Sequence, residues 1–485
     1  MFDVTVVVMK KVLVLCLLLY IVKCSVVRSS GELETSIFNE NDIEHYELDD
    51  LEQQKENGLL EAGDYGEPLF LTPYIESGNI ERAKQAALVE PFYGNITSYS
   101  GFLTVNKEYN SNMYFWFFPA EIDSDSAPVV LWLQGGPGTP SLFGLFEQHG
   151  PFYLTKTLQI KPREFHWTKT MNVIYIDNPI GTGFSFTRNE KGLSTNERVI
   201  GENLYNALVQ FYQLFPHYRK NDLFLSGESY GGKFAPAIGY VIDKHNVHLS
   251  INEKINLKGI AIGNGFCDPL LMMEYSNYLY QIGLIDLKTK SEMEVFQNKI
   301  INNIKIGKYF LAYGLGLEMV GYITRKTGFQ TLQNYLYTKD PIIYGDLRQF
   351  FKSAEVRKKL HVGRAIFHSS ALVKLYLSED FMQSVKPWIE TLIEKYKILI
   401  YNGQLDLLVP YPLSINFIRS LNWSGAEEYK TAERKLWYVD NELAGYTKSV
   451  GNLTEVLVRN AGHLVPSDQP KWAFDLMNKF ARNLL

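Results

Sequence analysis

Residues 223–236 read LFLSGESYGGKFAP and carry a G-x-S-x-G pattern from Gly227 to Gly231. The apolar run Leu223–Leu225 leads into it, and a helix-compatible segment, Ala235–Lys244, follows. A chain that passes from strand to helix through such a pattern turns sharply at the serine. The flanking glycines remove the Cβ atoms that would block the turn, and the serine hydroxyl is lifted above the sheet edge. A serine hydroxyl alone is a weak nucleophile. Ser229 therefore demands a histidine base and a carboxylate that orients it.

The rest of the chain reads as the sheet such a turn requires. Tyr99–Asn106 and Asn112–Ala120 form a hairpin pattern. Short apolar strands follow at Val129–Leu133, Val173–Ile176, Leu223–Leu225, Leu257–Ile262 and Ile398–Tyr401, and then at Lys435–Val439 and Glu455–Val458. Helical patterns such as Val199–Phe215 separate most of the middle ones. The alternation predicts an α/β fold with a mostly parallel, doubly wound sheet. Between Ile262 and Ile398 the rhythm stops, although Lys288–Ile301 and Ser353–Leu360 read as helices. An unstructured loop of that length is improbable, so the segment is expected to be an inserted helical subdomain. It departs from the C-terminal edge of a strand, where α/β active sites lie, and is expected to cover the site as a lid. The domain reading is a core of residues 68–267 and 386–485, with the insertion at 268–385.

The N-terminus reads as a targeting segment. Lys10 and Lys11 precede the apolar stretch Val12–Val22, which is too short to span a bilayer and fits a signal peptide over residues 1–28. Residues 29–67 form an acidic, propeptide-like leader in which Lys55 is the only lysine or arginine after Arg28. Two of the three cysteines, Cys16 and Cys24, lie in or beside the signal, so Cys267 is left as a lone thiol and is read as a buried small hydrophobe. Stability must then come from core burial. With secretion, Asn95, Asn422 and Asn452 become glycosylation candidates, each opening an N-x-S/T triplet. The net charge of −5 offers no basic field for nucleic acid. No H-E-x-x-H, CxxC or paired ligand spacing suggests a metal or other cofactor, and the Gly263–Gly265 "GNG" is too weak to indicate a nucleotide site.

Two further residues complete the chemistry. Asp406 ends YKILIYNGQLD, a buried-type strand running into a glycine turn, which puts it at the same sheet edge as Ser229. Locally it reads equally as the orienting carboxylate or as a cap of the turn. His463, in VRNAGHLVPSDQP, occupies a loop directly after a strand. His149, His166, His217 and His361 sit in apolar or helical contexts that suit structural histidines. The chain order Ser229, Asp406, His463 is that of the α/β-hydrolase scaffold. The glycine turn of LWLQGGPG (131–138) and the residue after the nucleophile supply oxyanion donors, the N–H groups of Gly136 and Tyr230.

At this point the sequence resembles the serine carboxypeptidase family. The resemblance runs from about Pro68 to the C-terminus and rests on LWLQGGPG, HGP (149–151), IDNPIGTGFSF (176–186), SGESYGGKFAP (226–236), IGNGFCDP (262–269), YNGQLD (401–406) and AGHLVPSDQP (461–470). PLFLTPYIESG and FWFFPA are similar to the vitellogenic-like and venom members. The resemblance implies an α/β-hydrolase fold with a helical insertion and removal of C-terminal amino acids in secreted or lysosomal (vacuolar) compartments. Its implied substrate is a peptide or protein C-terminus. It admits a homodimer, and no membrane association once the signal is cleaved. It also implies that Gln134, Glu228 and Gln148 form the substrate carboxylate-binding set. A carboxylate cannot accept from a carboxylate, so Glu228 would need a proton.

Two departures from the family pattern stand out. The family's Glu two residues before "GP" is Gln148 here, with Glu147 displaced by one position. A neutral amide there removes a titrating partner of Glu228 and is expected to extend activity to higher pH than in relatives carrying Glu. Thr139-Pro140 replaces a small residue plus Ser, and Pro140 deletes an N–H close to the oxyanion turn. Two other functions share these residues: an acyltransferase using the same triad, and a non-catalytic binding protein on the same fold.

Overall fold

Along Val129–Leu133 successive side chains enter two different cores. Val129, Leu131 and Leu133 join one apolar cluster, while Val130 and Trp132 join the other. The hairpin strand does the same, with Phe115 and Phe117 on one side and Tyr114, Trp116 and Phe118 on the other. A strand points alternate residues to opposite faces, so a run that is apolar at every position marks a sheet covered on both sides.

The computed structural model describes residue 60, residues 63–341 and residues 343–485. The signal reading (1–28) and nearly all of the acidic leader (29–67) fall outside the described residues. The strands are β1 (Tyr99–Asn106), β2 (Ser111–Phe118), β3 (Val129–Leu133), β4 (Phe152–Leu154), β5 (Ile160–Pro162), β6 (Asn172–Ile176), β7 (Leu223–Glu228), β8 (Leu257–Gly263), β9 (Lys397–Gly403), β10 (Lys435–Val439), β11 (Glu442–Val450) and β12 (Leu453–Val458). Ten of them form one sheet in the order β1-β2-β6-β3-β7-β8-β9-β12-β11-β10, and β4 pairs with β5 separately. The run β6-β3-β7-β8-β9-β12 is parallel. Antiparallel pairs close both edges.

After β3 the chain places β6 on one side, and β7 then lies on the other. The crevice beyond the C-terminal ends of β3 and β7 is thus the topological switch point, where open α/β sheets bind their ligands. Two helices pack together behind it, α1 (Glu197–Leu214) and α2 (Gly231–Asn246). Helix α1 begins where the Asn196 side chain accepts from Val199 N–H at 3.0 Å, which satisfies one free amide of the first turn.

Between β8 and β9 the chain is helical. A pair, α3 (Leu287–Lys305) and α4 (Tyr309–Thr327), is joined by a tight connection, and shorter helices follow at Leu347–Phe350, Ala354–Lys359 and Ala371–Tyr376. Asp286 caps α3 by accepting from Thr289 N–H at 2.7 Å. Gly328, at φ 75°, ends α4 in the left-handed conformation that glycine adopts without strain. The described end of the leader packs on this region through an Asp64–Lys358 ion pair of 2.6 Å. Asn95 and Asn422 are exposed. Asn452 is half-buried, and its Nδ2, the atom a glycan would occupy, donates to Ile393 O at 2.8 Å.

Candidate active site

Ser229 stands between the last residue of β7 and the first of α2 with φ 58°, in the left-handed region. A non-glycine residue keeps that conformation only where its surroundings enforce it. Here Ser229 N–H donates to Gly263 O at 3.0 Å, and its carbonyl accepts from Gly232 N–H at 2.9 Å and Phe266 N–H at 3.0 Å. A Cβ on Gly227 would lie 2.2 Å from Gly231 O, so this tight turn excludes any larger residue there.

Asp406 follows β9 and His463 follows β12, the strand beside it. The structure brings their side chains together: His463 Nδ1 lies 2.8 Å from Asp406 Oδ2, and both groups are buried. An ionised carboxylate only accepts, so Nδ1 carries a proton, and in the neutral imidazole Nε2 keeps its lone pair. Burial alone would lower the histidine's proton affinity. The charge of Asp406, its hydrogen bond and the Glu228 carboxyl outweigh this and hold the imidazole above its ordinary pKa. The pair is therefore built to accept and stabilise a proton on Nε2.

Asn264 contributes a support that sequence reading missed. Its Nδ2 donates to the same Asp406 Oδ2 at 2.6 Å, and its Oδ1 accepts from Gly403 N–H at 3.2 Å. Leu408 N–H donates to Asp406 Oδ1 at 2.7 Å. Asn264 also has a positive φ, 44°. The sequence offered its place in "GNG" after a strand, which describes many loops, and in the family segment IGNGFCDP, to which no role was attached.

The glycine turn after β3 backs directly onto the elbow. A Cβ on Gly135 would lie 2.5 Å from Glu228 O and 2.7 Å from Tyr230 N. Gly136 and Tyr230 therefore sit on two segments in contact at the ends of adjacent strands. Pro140, at φ −66° and ψ 145°, precedes the short helix Ser141–Phe143. An N-cap amide has no partner inside its helix, so the missing N–H removes no helix bond. The Ser141 hydroxyl secures the turn, donating to Trp132 O at 3.2 Å and accepting from Gln134 N–H at 3.2 Å.

Glu228 is buried beside Ser229. Gln134 Nε2 and Gln148 Nε2 each donate to its Oε1 at 2.8 Å, while Oε2 has no partner among protein atoms. Gln134 Oε1 is in turn held by Trp132 Nε1 at 3.1 Å. Burial pushes the Glu228 carboxyl up to about 7, against the lowering effects of His463 and the two amides. Gln148, rather than Glu147, makes this contact, from within the π-helical turn Gly144–His149. Glu147 lies on another side of that turn, where burial also raises its carboxyl, to about 7.

The four other histidines weighed in the sequence lie in other contacts. His149 stacks on Trp167 with ring centroids 3.9 Å apart, His166 pairs with the Thr168 hydroxyl, and His361 pairs with that of Ser100. His217 lies exposed against Tyr218. Among the described residues, no group of three or more His, Cys, Asp or Glu could hold a metal, and no helix is long and apolar enough to cross a membrane. Cys267 is buried, and burial raises its thiol pKa far above the ordinary value.

The model of the serine carboxypeptidase family matches residues 90–483. The venom serine carboxypeptidase of Apis mellifera is 51% identical over 436 residues, covering 88% of this chain and 93% of that protein. The vitellogenic carboxypeptidase of Aedes aegypti and the probable serine carboxypeptidase CPVL of Homo sapiens are each 45% identical over 431 residues, covering 86% of this chain and 90% of theirs. Among solved structures, Kex1(delta)p of Saccharomyces cerevisiae, a prohormone-processing carboxypeptidase, superposes with a TM-score of 0.73 at 22% identity. The match covers 82% of this chain and 96% of that one, and it supports the α/β-hydrolase fold. The chain belongs to the serine carboxypeptidase family and is a serine-type carboxypeptidase.

Proposed function

We propose that the protein removes C-terminal amino acids through an acyl-enzyme on Ser229. Ser229 Oγ attacks the last peptide carbonyl and His463 Nε2 takes its proton. Asp406 fixes the imidazole tautomer and stabilises the imidazolium. The oxyanion is received by the N–H groups of Gly136 and Tyr230. Collapse breaks the C–N bond, and His463 returns the proton to the leaving amino group. Water then adds to the acyl-enzyme by the same route, releasing the shortened peptide.

The observation that carries the exopeptidase reading is the environment of Glu228. Two amide N–H groups meet at Oε1, so a proton on this carboxyl belongs on Oε2, a buried oxygen with no protein partner, and on this reading it donates to the substrate carboxylate. A carboxyl pushed up to about 7 keeps that proton under acidic conditions. The helical segment between β8 and β9 serves as the lid. The name of the venom relative favours a secretory route, in which Asn95 and Asn422 are the accessible glycan sites.

The test compares amino-acid release from a blocked dipeptide with release from its C-terminal amide, from pH 5 to 7. Release from the acid alone, abolished in Ser229→Ala, is expected. Equal rates on acid and amide would remove Glu228 from substrate recognition. A folded wild type inactive on both would favour the binding-protein reading.

A further inference from the structure

The helical insertion reaches the histidine loop through a short strap, residues 331–336. Its backbone ties together the two loops that carry Asp406 and His463. On one side Leu407 N–H donates to Leu332 O at 3.0 Å and Tyr335 N–H donates to Leu405 O at 3.0 Å, so the strap brackets Asp406. On the other side His463 N–H donates to Gln333 O at 2.6 Å. A side-chain lock closes the arrangement. Asn334 Nδ2 donates to Asp468 Oδ2 at 3.0 Å, and the same oxygen accepts from Gly462 N–H at 2.7 Å. Asn334 is buried. Gly462 precedes His463 and is pressed against the strap: a Cβ there would lie 2.3 Å from Gln333 O and 2.7 Å from Asn334 Cβ.

We propose that Asn334 and Asp468 are positioning residues for His463, and that the strap they lock sets the register of the imidazole against Asp406. The insertion is then a template for the acid–base half of the site, in addition to any role as a lid. This rests on the reading of His463 as the base. The reason is geometric. The 2.8 Å contact between Nδ1 and Oδ2 joins two separate loops, and the strap bonds to the backbone on both sides of it. Small misplacements of a catalytic group cost rate steeply, about 10²-fold for 1 Å.

The test uses the full chain with Asn334→Ala, Asp468→Ala, their double variant and Asp468→Asn. Each alanine change should lower kcat about 10- to 100-fold with little change in KM. The double variant should be no worse than the poorer single, because both remove one lock. Asp468→Asn should recover most of kcat, since its carbonyl oxygen can still accept both N–H groups. If the alanine variants fail to fold, Asn334→Ser, with a side chain too short to reach Asp468, carries the same expectation.

A second readout does not depend on turnover: the low-field proton resonance of His463 Nδ1–H, identified by its loss in His463→Ala. It should move or broaden in the alanine variants and return in Asp468→Asn. Folded alanine variants with an unmoved resonance would overturn the proposal, whatever their kcat. A wild type that releases no amino acid, but whose resonance follows this pattern, would sink the proposed function and leave the positioning role standing.

Discussion

Gln148→Glu isolates the electrostatics around Glu228. In the wild type one carboxyl titrates there, pushed up to about 7 mainly by burial and restrained by the amides of Gln148 and Gln134. In the proposed mechanism one proton makes the site neutral, and the substrate carboxylate then meets a donor. In the variant two carboxyls face each other out of water. Unit charges 4 Å apart repel by about 4 kcal/mol at an effective dielectric of 20, or about 3 pKa units. The last proton is therefore held well above pH 7. The first leaves more easily, because the carboxylate it exposes accepts a charge-assisted O–H bond from its neighbour. That step should fall about one unit below the wild-type value. The pair with one proton carries a negative charge facing an incoming carboxylate, so the competent state is the doubly protonated one. The basic limb of kcat/KM should therefore move down by about one unit, with a loss of about fivefold at pH 7 and tenfold at pH 8. Between pH 4 and 5 the variant should match the wild type. The assay is kcat/KM for a blocked dipeptide from pH 4 to 8, with circular dichroism to check folding. An unmoved limb would show that Glu228 does not set it. An upward shift would show that one shared proton suffices.

Three further outcomes follow from the same geometry. Glu228→Gln replaces a titrating donor with a permanent one, so the activity that remains should lose its basic limb near pH 7; a profile of wild-type shape would assign that limb to another group. Asn264→Ala removes a hydrogen bond to a charged carboxylate, worth about 1.5–3 kcal/mol, and should lower kcat about 10- to 100-fold while KM stays near the wild-type value. Pro140→Ser should change kcat/KM less than about threefold, because the proline sits at an N-cap with backbone angles it adopts freely; a larger change would place the missing N–H in the oxyanion turn.

The chain displays some of this architecture openly and hides the rest. Every position of Val129–Leu133 is buried, so an uninterrupted apolar run was enough to find β3, and the same holds for the start of β7. The elbow was legible because glycine spacing and strand-then-helix context both derive from one steric demand at Ser229. Strand β11 has no such signature: ELAGYTKSV mixes polar and apolar residues, and its pairing with β10 shifts register near Gly445. Helix α4 is apolar on much of its surface and interrupted by Gly314, Gly316 and Gly321, which blurs a helical period. Gln148 was legible from its place two residues before Gly150-Pro151, and in the structure it reaches Glu228 from a π-helical turn that no local pattern announces. Asn264 and the 331–336 strap act through a few hydrogen bonds between segments remote in the chain, and no local pattern encodes those.

The most direct test of Ser229 as the nucleophile is the intact mass of the protein after treatment with a serine-directed phosphonate. The wild type should gain one phosphonyl group, and peptide mapping should place it on Ser229. Ser229→Ala should gain none, and Asp406→Asn, which holds the imidazole in the wrong tautomer, should react about 10⁴-fold more slowly. A folded wild type that takes up no label, or takes it up on another residue, would contradict the account.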